Sequence, residues 1–180
     1  MSLSAPTSAP TSSSALAPYT HLLVPVDYAG CAWLVVNHAA RLAAAFGAQV
    51  TLLYVVDPPT GVHLSDSIAT DRTAGALLDA EARDELEALR RAFPPEVRVQ
   101  LTVLHGSPAE VILGAVERLG PDLLVMGTHG RSGLQRLLVG SVAEQVMRGS
   151  PVPVVIVRAP TGMPERHPPT WERAADEANG

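Results

Sequence analysis

Five short aliphatic runs, at residues 21–26, 50–56, 97–104, 122–126 and 154–157, are each separated from the next by a stretch with helical spacing or helix punctuation. The third run alternates; the others are nearly continuous. Continuous runs of this length suit strands covered on both faces, the situation of a parallel sheet sandwiched between helices. Parallel neighbours also need a connection long enough to hold a helix, and such crossovers are right-handed. The order β-α-β-α-β-α-β-α-β therefore predicts an α/β chain with a doubly wound, five-stranded parallel sheet.

The helical stretches carry their own starts and stops. Val36, Ala40 and Ala43 recur at helical spacing, and Gly47 stands where that helix would end. Residues 73–93 place Leu78, Ala82, Leu86, Leu89 and Phe93 on one stripe with charges opposite, and Pro94-Pro95 ends it. Ser107-Pro108-Ala109-Glu110 has the form of a capping box with proline at the first helical position. The helix it opens turns Ile112, Ala115 and Leu119 inward and stops at Gly120-Pro121, and a last helix is expected over residues 142–148. Residues 57–73 read as a surface connection or as a lid over a ligand.

The length of 180 residues suits one domain. Residues 1–18, rich in Ser, Thr, Ala and Pro, have too little apolar surface to offset ordering entropy and read as a flexible arm. Residues 159–180, with Pro160, Pro164, Pro168 and Pro169, read as an irregular tail, which leaves 19–158 as the domain. The net charge of −5 offers no basic face to DNA, RNA or an anionic membrane, so neither partner is expected. No signal peptide or membrane-length apolar run is read, and the single cysteine excludes an internal disulfide, so a reducing cytoplasm is expected. That residue, Cys31, is read as a small side chain near a helix start, with no neighbouring base to make it a nucleophile.

The chemistry concentrates after the fourth run. From Gly127 the chain has a glycine, two residues, Gly130, nine residues, and then Gly140-Ser141. Glycines at a strand exit let the backbone approach a ligand closely, and Gly140-Ser141 opens a helix whose first amides lack partners, which makes an anion site. A plainer reading is also open, in which Ser141 and Glu144 form a capping box and the glycines serve turns.

These residues resemble the universal stress protein family, specifically its ATP-binding branch. The likeness rests on Pro25-Val26-Asp27 at the end of the first strand, Leu53-Tyr54-Val55-Val56-Asp57 at the end of the second and His105-Gly106-Ser107-Pro108 before the third helix. It is strongest in Met126-Gly127-Thr128-His129-Gly130 and, after the nine-residue spacer, Gly140-Ser141-Val142-Ala143-Glu144. The resemblance implies a Rossmann-like sheet of the adenine nucleotide alpha hydrolase kind that binds ATP. Asp27 would face ribose or base, the backbone near Val55 would meet the adenine edge, and Gly127 and Gly130 would line the sugar and phosphate path, with Pro25, Val26 and Met126 also among the nucleotide-binding residues. Gly140, Ser141 and Val142 would cradle the phosphates, with His129 and Arg131 as phosphate neighbours; solvation of His129 and a carboxylate partner for Arg131 are equal readings. Asp27 has a second reading as the cap of the helix that follows it.

Three functions follow from this. The first is a nucleotide-binding regulator in stress response, with magnesium bridging the phosphates, since no clustered protein ligands announce a metal site of their own. The second is a homodimeric scaffold of the same fold, paired through the last strand at Val154 to Val157, an apolar edge unless another chain covers it. The third is a slow ATPase: the chain lacks the Walker segment G-x-x-x-x-G-K-S/T and its lysine, so efficient turnover is not indicated. The absence of G-x-G-x-x-G after the first strand disfavours NAD and FAD. The absence of His-x-Gly-His and Ser-Gly-Gly there disfavours the synthetase-like and pyrophosphatase-like enzymes of related fold.

Overall fold

The computed structural model describes residues 19–27, 31–57, 68–128 and 140–158, with the backbone alone for 68–74. In chain order the elements are β1 (His21–Val26), α1 (Ala32–Phe46), β2 (Gln49–Val56), α2 (Ile68–Arg90), β3 (Val99–His105), α3 (Pro108–Leu119), β4 (Leu123–Gly127), α4 (Ser141–Gly149) and β5 (Val154–Val157). All strand pairs are parallel, in the order β3-β2-β1-β4-β5. The doubly wound α/β sheet expected from the alternating runs is the fold of the molecule. The arm at 1–18, the tail at 159–180 and the residues His129, Gly130 and Arg131 lie outside the described residues.

Successive side chains of a strand point to opposite faces, and this splits the core in two. Leu22, Val24 and Val26 of β1, Leu52, Tyr54 and Val56 of β2 and Leu123 and Val125 of β4 pack beneath α1 and α2. Leu23, Leu53, Leu124 and Met126 pack beneath α3 and α4. Burial on both faces is why these runs carry no polar alternation. Gly47 and Gly120 end α1 and α3 in the left-handed conformation, their amides donating to the Ala43 and Val116 carbonyls.

Several local expectations are corrected. α2 begins at Ile68 rather than at 73, because no proline interrupts the chain there and an interior Gly75 costs a helix only about 1 kcal/mol; the surface-connection or lid reading therefore fails for 68–73. Of its expected stripe, Ala82, Leu86 and Leu89 are buried, whereas Leu78 is 43% exposed. With 23 residues, α2 is about 34 Å long against about 26 Å for β2, and its first turns overrun the sheet. Phe93 is buried but lies past the end of the helix. Leu119, expected inward, is exposed together with all of 117–120 in the last turn of α3. Ser107 is the N-cap of α3 and Pro108 its first residue, but the Ser107 side chain makes no capping hydrogen bond.

Gly106 has φ +134°, and a Cβ there would lie 2.9 Å from Cγ2 of Val111. Gly106→Ala is expected to cost about 1–3 kcal/mol, since side chains rarely adopt that backbone region and Val111 must also give way. A urea midpoint equal to that of the parent would show that the turn relaxes freely.

At the amino end of the sheet, Asp122 ties β1 to β4. Its carboxylate accepts from the Thr20 amide (2.8 Å), the Thr20 hydroxyl (2.7 Å) and the His21 amide (3.1 Å). Burial pushes this carboxyl up, but those hydrogen bonds together outweigh it and hold the group below its ordinary value of 3.8. Burial lowers His21 from its ordinary 6.5, against the opposing pull of Asp122, and its Nε2 lies 2.8 Å from the Thr51 hydroxyl. Both shifts act in the same direction on stability. The His21 contribution is complete above 6.5 and is lost as pH falls from there to its folded value; the Asp122 contribution is complete above 3.8 and is lost as pH falls through its depressed folded value. Chemical denaturation across pH should show the parent losing stability relative to His21→Gln below pH 6.5, and relative to Asp122→Asn below 3.8. Parallel curves would show that neither group is linked to folding.

Candidate functional site

A cleft of about 310 Å³ opens where β1, β2 and β4 end, within the size range of small-molecule sites. Strand order explains its position. From β1 the chain winds outward to β2 and β3, then crosses back to β4 and β5, so the crevice beside the carboxyl ends of β1 and β4 is the topological switch point.

The register shows how that crevice opens. β1 stays paired with β2 as far as Val26 and Tyr54, and β4 with β5 as far as Gly127 and Val157, but β1 pairs with β4 only as far as Leu23 and Leu124. The His21 carbonyl accepts from the Asp122 amide at 3.0 Å, so alternate residues of β1, including Pro25, turn their backbone groups towards β4. Proline has no N–H to offer there, and the ladder stops.

Three helices turn their amino ends to this space. In α4, Gly140 is the N-cap, in an extended conformation with no side-chain cap, and the first helical bond runs from the Glu144 amide to the Gly140 carbonyl at 2.9 Å. The helix therefore leaves the amides of Ser141, Val142 and Ala143 without an intrahelical partner, and all three residues line the cleft. The capping-box reading of Ser141 and Glu144 is not realised: Ser141 is already inside the helix, and Glu144 instead accepts from Arg148 at 2.8 Å. α1 starts at an N-cap, Cys31, that makes no side-chain cap, and α3 presents Pro108. The uncapped amino end of α4 makes its part of the cleft favourable for an anion. Thr128 fixes the approach to α4, donating its amide to the Val157 carbonyl (3.2 Å) and accepting from the Gly140 amide (2.6 Å).

The strand ends supply two carboxylates to the lining, Asp27 and Asp57, and the wall also carries the apolar side chains of Val26, Val35, Tyr54 and Met126. Cys31 holds the N-cap position of α1.

Of the residues singled out in the sequence, Pro25, Val26, Asp27, Val55, Met126, Gly127, Gly140, Ser141 and Val142 all line this one cleft. Sequence reasoning missed Thr128 as a pinning residue, although it stands between Gly127 and His129. It also missed Ile112, Pro108 and Cys31 as lining residues, although Ser107-Pro108 stood in the family likeness. Burial pushes the Cys31 thiol up, and the charge of Asp27 pushes it further in the same direction. Among the described residues, no group of three or more His, Cys, Asp or Glu is placed to hold a metal ion, and no helix is long and apolar enough to cross a membrane.

Fold and cleft together define a doubly wound α/β protein with a cleft at its switch point, lined by apolar side chains, helix amino ends and two carboxylates. The model of the universal stress protein family matches residues 18–158, and the chain belongs to that family. It is 34% identical over 143 residues to a universal stress protein of Methanocaldococcus jannaschii, covering 79% of this chain and 84% of that one. Among solved structures it resembles the universal stress protein UspA from Lactobacillus plantarum, with 31% identity, a TM-score of 0.67 and coverage of 79% and 99% of the two chains. It also shares the fold of a universal stress protein crystallised in complex with cAMP, with 23% identity, a TM-score of 0.58 and coverage of 78% and 98%.

Proposed function

We propose that this chain binds an adenine nucleotide, ATP foremost, and acts in stress response as a regulator whose conformation or partner depends on the bound nucleotide. The observation that carries the reading is the row of amides at Ser141, Val142 and Ala143, left without intrahelical partners at the edge of a switch-point cleft. The apolar middle, with Val26, Tyr54 and Met126, suits a flat base, and the backbone at Val55 suits its edge. Asp27 suits ribose hydroxyls, which a carboxylate accepts from. Gly140, Ser141 and Val142 are assigned to the phosphates, with Gly127 beside the sugar; Gly130, His129 and Arg131 complete the site in this reading. The residues present fit ATP, and magnesium would serve by bridging its phosphates rather than by resting on a protein cluster.

This role belongs to the domain at 19–158, in the cytoplasm, with no nucleic-acid or membrane partner expected at a net charge of −5. Catalytic turnover near the enzyme median of about 10 per second is not part of the proposal. The test is to purify the protein without added nucleotide, denature it and identify released nucleotides by mass spectrometry, followed by calorimetric titration with ATP. Bound or titratable ATP supports the reading; no binding at millimolar ATP overturns it.

A homodimer through β5 accompanies either a nucleotide-dependent or a scaffold role. β5 ends the sheet order with β4 as its neighbour, and Val154, Val155 and Ile156 are only half-buried. Apolar edges of this kind call for a cover, and a two-fold axis beside β5 supplies one. Sedimentation at micromolar concentration should give a dimer; a monomer would count against the pairing.

A further inference from the structure

The residues that directly follow the five strands are Asp27, Asp57, Gly106, Thr128 and Arg158. The cation among them stands at β5, beside the strand end that leads to α4. Thr128 makes the connection: its amide donates to the carbonyl of Val157, the residue before Arg158, and its carbonyl accepts from the Gly140 amide at the N-cap of α4. Val154 and Ile156 pack in the core beneath α3 and α4, whereas Val157 packs in the core beneath α1 and α2. Strand alternation therefore sets Arg158 on the α4 side of the sheet. It is exposed, and among the described residues it pairs with no carboxylate; Glu144, the acid in the first turn of α4, is taken by Arg148. A cation near a helix amino end is opposed by the helix dipole, and an anion lying between the two relieves that opposition.

We infer that Arg158 is a specificity residue that receives the outer phosphates of the nucleotide, so that the site prefers a nucleoside triphosphate to the monophosphate. The inference rests on the nucleotide-binding reading and extends it along the sheet. In that reading the adenine edge is at Val55 on β2, the ribose at Asp27 past the end of β1, and the sugar and first phosphate beside Gly127 at the end of β4. These strands are consecutive in the sheet, and the next in order is β5. From β2 to β5 there are three strand spacings, about 14 Å. A phosphate chain that continues in the same direction past the α4 amides comes to the end of β5, where Arg158 stands. A guanidinium carries five N–H donors in a planar fork that matches phosphate oxygens, and it keeps its charge at every physiological pH. A monophosphate ends at the α4 amides and leaves Arg158 in water.

The experiment titrates the full chain with ATP and with AMP, both in the presence of magnesium, and compares the parent with Arg158→Gln and with Arg148→Gln. The second variant removes the same charge from the far end of α4. Arg158→Gln should lose at least about tenfold in affinity for ATP, the worth of a charge-assisted hydrogen bond, and stay within about twofold of the parent for AMP. Arg148→Gln should stay within about twofold of the parent for both ligands. An ATP affinity unchanged by Arg158→Gln, an equal loss for ATP and AMP, or an equal loss in Arg148→Gln overturns the inference while leaving ATP binding intact. Failure of the parent to bind ATP overturns the nucleotide reading and the inference with it.

Discussion

Gly140→Val is expected to weaken ATP binding by on the order of a hundredfold while leaving the fold in place. Gly140 is the N-cap of α4, with φ −72° and ψ 157°, a backbone region that valine also adopts, so the substitution imposes no backbone strain. What it adds is a branched side chain beside the Ser141 and Val142 amides, where the phosphates are proposed to lie. Losing two charge-assisted hydrogen bonds of about 1.5 kcal/mol each corresponds to roughly a hundredfold in affinity. The helix itself should lose no more than about 1 kcal/mol, because valine is a poorer N-cap than glycine. Titration with ATP, alongside a urea melt, separates the two effects. A variant that binds as tightly as the parent would show that the phosphates lie elsewhere. Ser141→Ala should be milder and should act on ATP but not on adenosine, since only the phosphate end of the ligand would notice the missing hydroxyl.

A comparison of Leu23→Ala with Leu119→Ala carries the largest expected difference in stability. Leu23 lies on β1, the central strand, fully buried beneath α3 and α4. Its truncation removes buried methyl groups and leaves a cavity in a site walled by the sheet on one side and helices on the other, so about 2–5 kcal/mol should be lost. Leu119 is 38% exposed in the last turn of α3, and its replacement should change stability by about 0.5 kcal/mol or less. Denaturant midpoints measured under one set of conditions decide the matter. Equal losses would mean that the end of α3 is packed against something in solution, and a small loss at Leu23 would mean that the two-faced core is not as described.

These two leucines also mark what periodicity can and cannot read. Leu119 stands one heptad after Ile112, which is buried, so helical spacing assigns both to the same face. Spacing carries no information on how far along a helix its stripe stays covered, and Leu119 in the last turn of α3 and Leu78 in the middle of α2 are both exposed. Side-chain capping misled in a related way. Ser107 and Glu110 have the right types at the right interval, yet Ser107 takes the N-cap without using its hydroxyl. At α4 the chain places glycine, not serine, at the cap, and Glu144 goes to Arg148. An interval of three residues is necessary for a capping box but does not choose between it and an ion pair one turn further on.

The sequence by itself determined the order of strands and helices, because apolar runs without alternation can only be buried on both faces and glycine and proline stop helices locally. It also pointed to the segment after the fourth strand, since close backbone approach is a property of glycine itself, while Pro25-Val26-Asp27 was marked by the family resemblance. Only the tertiary structure decided that these segments meet. The strand order β3-β2-β1-β4-β5 puts the ends of β1 and β4 side by side, and it is this adjacency that brings Asp27 and the first residues of α4 into one cleft, whose lining also takes in Asp57, Ile112 and Cys31. Separation along the chain carries no such information, because which strands become neighbours depends on how the helices cover both faces of the sheet at once.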